Sequence, residues 1–113
     1  MQLVHIYLHF PGNTAEAIRH YETAFGTKTL MIQTFAEAPF MKDAPEHAKN
    51  KILHAQLPIT ESVHLMASDA VEGFSPPLKQ GNNFQITIVA HDKAEADHAF
   101  AVLADGGQID MPR

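Results

Sequence analysis

Three short stretches carry histidine at positions that a strand would turn to one side. They are residues 4–10 (VHIYLHF), 51–57 (KILHAQL) and 63–67 (VHLMA). Side chains alternate along extended backbone. His5, Tyr7 and His9 therefore share a face opposite Val4, Ile6, Leu8 and Phe10. By the same parity His54 and Gln56 stand opposite Leu53, Ala55 and Leu57, and His64 and Met66 stand opposite Val63, Leu65 and Ala67. A fourth stretch, 83–89 (NFQITIV), sets Asn83 and Gln85 against Phe84, Ile86 and Ile88. Neutral imidazole is the commonest side-chain ligand for zinc, nickel or iron. Two or three histidines with a carboxylate would leave open positions for the oxygens of a substrate. The other reading is a structural or ligand-binding role for the same histidines without a metal. His20, His47, His91 and His98 read as solvated helix or loop residues. Asp69 closes the stretch MASD and either orients a ligand or a histidine, or initiates the turn before Ala70.

The elements that must position these residues are legible in outline. After the strand at 4–10, Pro11-Gly12 breaks the chain, and Asn13 or Thr14 can cap a helix. Ala17, Ile18, Tyr21, Ala24 and Phe25 form its apolar stripe, and Gly26 ends it. Strands are expected at 27–35, 51–57 and 63–67. The loop at 36–49 holds two prolines, and a loop of that length is usually functional or mobile. Phe35, Phe40 and Met41 form either a lid or a packing surface for a neighbouring subunit. A Pro- and Gly-rich stretch then separates two halves.

The second half repeats the first. Ile6, Leu8 and Phe10 align with Phe84, Ile86 and Ile88. Ala15-Glu16-Ala17 and Tyr21 align with Ala94-Glu95-Ala96 and Phe100, with one residue inserted between strand and helix. Gly106-Gly107 takes the place of Gly26, and a further strand begins at 108–111. Two strands of the first copy then have no counterpart. Either the natural chain is longer, or an open sheet edge awaits a cover.

The totals bound the rest. The 113 residues allow one domain with a modest core. The net charge of −5 and the scattered Lys and Arg argue against nucleic acid or an anionic membrane as partner. Cysteine is absent, which removes disulfides, thiolate metal sites and a cysteine nucleophile. No targeting or membrane-spanning segment is visible, so a cytoplasmic address is expected. No glycine-rich phosphate loop occurs, because Gly106-Gly107 follows a helix rather than leading into one. Strand parity suggests no Ser-His-Asp arrangement.

Tyr7-Leu8-His9-Phe10 with Gly12-Asn13, Ala15-Glu16-Ala17, Tyr21 and Phe25-Gly26, then Ile52-Leu53-His54-Ala55, Leu65 to Asp69, Gly81-Asn82-Asn83 and Gly106-Gly107 form an ordered set over nearly the whole chain. The set resembles the PhnB-like branch of the vicinal-oxygen-chelate superfamily, the glyoxalase and bleomycin-resistance fold. That resemblance implies an α+β fold of paired βαβββ modules with a cupped mixed sheet, a helix outside each cup, and a ligand or divalent metal within. It implies a complete module at 1–69, a connector at 70–82 and a partial second module at 83–113, lacking an aromatic- and Gly-rich continuation. It also implies a homodimer. Metal-dependent relatives carry His on the first strand, Glu or His on the fourth, His on the fifth and Glu on the eighth. Here His5 and His64 could serve as metal ligands, but the fifth strand offers only Asn83 or Gln85 and the eighth is missing. The incomplete set favours a metal-free protein that binds a small organic molecule through Tyr7, His9, Phe40, His54, Met66, Asp69, Asn83 and Gln85. The alternative is an enzyme using zinc, nickel, manganese or iron on a substrate with vicinal oxygens. Relatives of this branch are often labelled methyltransferases, but no strand–glycine-loop–helix here would hold S-adenosylmethionine.

Overall fold

A computed structural model describes residues 1–39 and 44–111. Its elements run β1 (Ile6–Phe10), α1 (Thr14–Phe25), β2 (Met31–Thr34), a helical turn α2 (Glu46–Lys49), β3 (Ile52–Pro58), β4 (His64–Asp69) and α3 (Lys93–Ala104). The four strands form one mixed sheet in the order β1-β4-β3-β2, which does not close. β1 runs parallel to β4, and the other two pairings are antiparallel. The architecture is α+β, as the strand and helix periods require.

Helix α1 covers one face of the sheet. Ile18 is buried in one cluster with Ile52, Ala55 and Leu57 of β3 and Leu65 and Ala67 of β4. Ile6, Leu8, Phe10, Tyr21 and Phe25 pack around it. Ala55 and Ala67 are register partners, and both are fully buried. Small side chains there leave the room that the helix fills. Gly26 ends α1 in the left-handed region, with φ 67°, and its N–H donates to the Glu22 carbonyl.

The start of α1 is capped differently from expectation. The Asn13 side chain makes no capping bond. The carboxylate of Asp69, at the end of β4, accepts from the Thr14 backbone N–H at 2.9 Å and the Thr14 hydroxyl at 2.6 Å. Its other oxygen accepts from the Ile52 N–H at 2.8 Å. A carboxylate suits the positive end of the helix dipole. One buried side chain thus ties α1, β3 and β4 together.

Glu22 fastens the far end of the helix. Its carboxylate accepts from the backbone N–H and hydroxyl of Thr29. These bonds hold its pKa below the ordinary carboxylate value, the backbone bond most strongly. A depressed pKa gives stability that is present above about pH 4.5 and lost as pH falls through the folded value. Glu22→Ala is therefore expected to melt below wild type at pH 7, with the gap narrowing as pH falls below about 4.5. An equal gap on both sides of that pH would show that the charge plays no part.

The strands are shorter or shifted against the sequence expectation. β2 begins only at Met31, and its register with β3 slips between Gln33 and Thr34. The expected strands at 83–89 and 108–111 are not part of the sheet. Period-two apolarity specifies extended backbone, but a strand also needs a neighbour to complete its ladder. Instead Ile86 and Ile88 line an apolar cleft of about 170 Å³ with Leu8, Tyr21, Phe25, Ile59, Leu65 and Leu103. The segment thus lies on the α1 side of the sheet. Helix α3 is where the repeat put it, and Asp92 caps it by accepting from the Glu95 N–H.

Candidate functional site

The face away from α1 collects the histidines. Register partners share a sheet face. Tyr7 pairs with Met66, and Met66 with Gln56, which pairs with Met31. These four side chains make one row across all four strands. On the same face His9 pairs with Ser68 between β1 and β4, and His54 with Gln33 between β3 and β2. His64 pairs with Pro58, and His5 lies beside it. No Asp, Glu, Lys or Arg occupies a register position of this face among the described residues.

Hydrogen bonds knit the rows. The Tyr7 hydroxyl and His54 Nδ1 are 3.2 Å apart, and His9 Nδ1 is 3.0 Å from Ser68 Oγ. The Gln56 amide nitrogen donates to His64 Nδ1 at 2.6 Å. His5 Nδ1 accepts from the His64 backbone N–H at 3.0 Å. The rings of His5 and His64 stack, with centroids 4.8 Å apart and planes inclined by 20°. Tyr7 lies between His9 and His54, at 5.0 and 5.7 Å. Tyr7 is 45% exposed, so a flat molecule can reach it.

The stack decides how His5 and His64 could treat a metal. An imidazole ligates through a lone pair in its ring plane, about 2 Å from the ion. Planes 4.8 Å apart at the centroids and inclined by only 20° meet far from either ring. Both Nδ1 atoms are also committed within the protein. As placed, the pair does not fit one shared ion, and among the described residues no three His, Asp or Glu side chains converge as ligands.

Other expected site residues stand elsewhere. Asp69 lies on the helix side with Leu65 and Ala67, only 4% exposed, and its bonds to Thr14 and Ile52 give it a structural position rather than a place on the histidine face. Asn83 and Gln85 are exposed in the unpaired segment on the α1 side, and the structure does not bring them to the histidines. Phe35 is no lid: it is buried with Ala44, Ala48 and Val71 and meets the Phe74 ring at 5.7 Å. Phe40 and Met41 lie outside the described residues. Ser68, Gln33 and Met31 join the face without having been singled out. Ser68 was legible, because carrying the parity of His64 and Met66 one step further reaches it.

The remaining histidines are exposed or half-exposed, but three have partners, His47 among them through a 3.5 Å contact of its Nε2 with the Glu72 carbonyl. His91 bonds Glu95, which raises its pKa through the hydrogen bond and then the charge, and His98 Nε2 donates to the Thr23 carbonyl at 2.8 Å. No helix among the described residues is long and apolar enough to cross a membrane.

A four-stranded mixed sheet, backed by α1 and bearing histidines on its open face, defines a PhnB-like fold. The PhnB protein of Bacillus cereus superposes with a TM-score of 0.72 over 96% of this chain and 78% of that one, at 20% identity. The protein PA1353 of Pseudomonas aeruginosa matches with a TM-score of 0.83 and 33% identity, over 99% of this chain and 79% of its own. The chain belongs to one family with PA1353. The Escherichia coli K12 protein YjdN is 29% identical over 111 residues, 93% of this chain and 74% of YjdN. No family model matches the chain.

Proposed function

We propose that the protein binds a small organic molecule on the open sheet face, between Tyr7, His9, His54 and Met66, without a metal bridging His5 and His64. One observation carries this reading: an exposed aromatic and imidazole surface, with no charged side chain at its register positions among the described residues, held in cross-strand rows by its own hydrogen bonds. Such preorganisation lowers the cost of ordering on binding. Membership of the vicinal-oxygen-chelate superfamily goes with the reading, supported by the likeness to PhnB. So does a homodimer, supported by the β1 and β2 edges, each paired on one side only.

A ligand that binds only the folded state stabilises it by about 2.7 kcal/mol at a hundredfold excess over Kd. A compound panel is expected to yield thermal stabilisation that persists in EDTA and is lost in Tyr7→Ala. Stabilisation that EDTA abolishes would sink the metal-free reading.

A further inference from the structure

We infer that the ligand is a planar arene carrying an acceptor oxygen, a carboxylate or carbonyl, read by outward-facing imidazole N–H groups. This rests on the proposed site and names what that site selects.

The argument is one of proton placement. A backbone N–H can only donate, so His5 Nδ1, which receives the His64 N–H, holds no proton in the neutral ring. The His5 proton therefore sits on Nε2. His64 Nδ1 receives the Gln56 amide in the same way, which leaves its proton on Nε2 too. The hydroxyls of Tyr7 and Ser68 can each donate to the Nδ1 they face, on His54 and His9. In all four rings the Nδ1 edge is spent inside the protein. The Nε2 edge has no protein partner among the described residues.

Ordinarily a carboxylate partner takes up such N–H groups. Among the described residues none occupies a register position of this face, and neither does a Lys or Arg that would compete for an acceptor. A cationic or donor-rich ligand would meet donors and find no negative charge. An oxygen acceptor would find the N–H groups of His5 and His64 already aimed by their Nδ1 bonds, and those of His9 and His54 too when the Ser68 and Tyr7 hydroxyls donate. The stacked His5 and His64 rings and the exposed ring of Tyr7 add flat π surfaces, which favour an arene over a puckered ring.

Four probes of similar size separate the possibilities: benzoate, benzamide, benzamidine and cyclohexanecarboxylate, each titrated in EDTA while imidazole nitrogens are followed by NMR. Benzoate and benzamide are expected to shift the Nε2 signals of His5, His9, His54 and His64 and leave His20, His47, His91 and His98 in place. Benzoate should bind at least about tenfold tighter than benzamidine or cyclohexanecarboxylate. His5→Phe keeps a ring beside His64 but removes the donor, and should weaken benzoate about tenfold or more. His54→Phe gives the same reading should His5→Phe fail to fold. Benzamidine binding this face as tightly as benzoate would overturn the ligand class and leave the site standing. Equal binding of cyclohexanecarboxylate would overturn the arene requirement. No shift at the four sheet histidines with any probe would overturn the site itself.

Discussion

Asp69→Ala is expected to lower stability by about 3–4 kcal/mol, because three hydrogen bonds to a charged acceptor vanish together. The cost is not only the bonds. Thr14 is fully buried, so its N–H and hydroxyl lose their partner where water is scarce. The Ile52 N–H, at the start of β3, is stranded as well. For a chain of this size the loss corresponds to a fall in Tm of roughly 10–20 °C, read by circular dichroism at pH 7. Asp69→Asn should fall between the two, since an amide can still accept from Thr14 but turns a donor toward the Ile52 N–H. A melting point within about 3 °C of wild type for Asp69→Ala, less than 1 kcal/mol of stability, would mean that water replaces the carboxylate. The clamp would then be dispensable.

Ile18→Ala is expected to cost about 2–5 kcal/mol, the usual range for emptying a large aliphatic site in a core. The upper half is the better expectation here. Ile18 is 2% exposed, and its cluster includes Ala55 and Ala67, both at 0%. Alanines cannot lengthen to fill a void, and the backbones of β3 and β4 are pinned by their ladder. The cavity should therefore stay open. Chemical denaturation at 25 °C measures this directly. A loss under 1 kcal/mol would show that α1 can sink toward the sheet. Neither change touches the histidine face, so ligand binding by the folded fraction should survive both.

Much of the fold was legible because two periods are hard to confuse. The alternation from Val4 to Phe10 marked a strand, of which Ile6–Phe10 forms, and the stripe from Ala17 to Phe25 fixed the helix and its buried side. The histidine face followed from parity alone. The errors share one cause, which is that partners distant in sequence decide local outcomes. Asn13 looked like a cap, but Asp69, 55 residues away from Thr14, takes that place. Asp69 had two readings, orienting a ligand or a histidine or initiating a turn; β4 in fact runs on to it, which puts it on the side of Leu65 and Ala67. Residues 83–89 carry a strand pattern, yet a pattern does not supply a neighbour. The stacking of the His5 and His64 rings is a matter of ring orientation, which no spacing encodes.

The parallel pairing of β1 with β4 has a consequence for the chain as it is made. His9 and its register partner Ser68 are 59 residues apart, so the first strand to leave the ribosome waits for the last of the four. At about 5–20 residues per second that wait lasts roughly 3–12 s. Throughout it Ile6, Leu8 and Phe10 have no sheet to join, and α1 has no floor. A nascent chain in this state is a natural client for any chaperone that grips short apolar segments, and the grip should slacken once Asp69 has emerged.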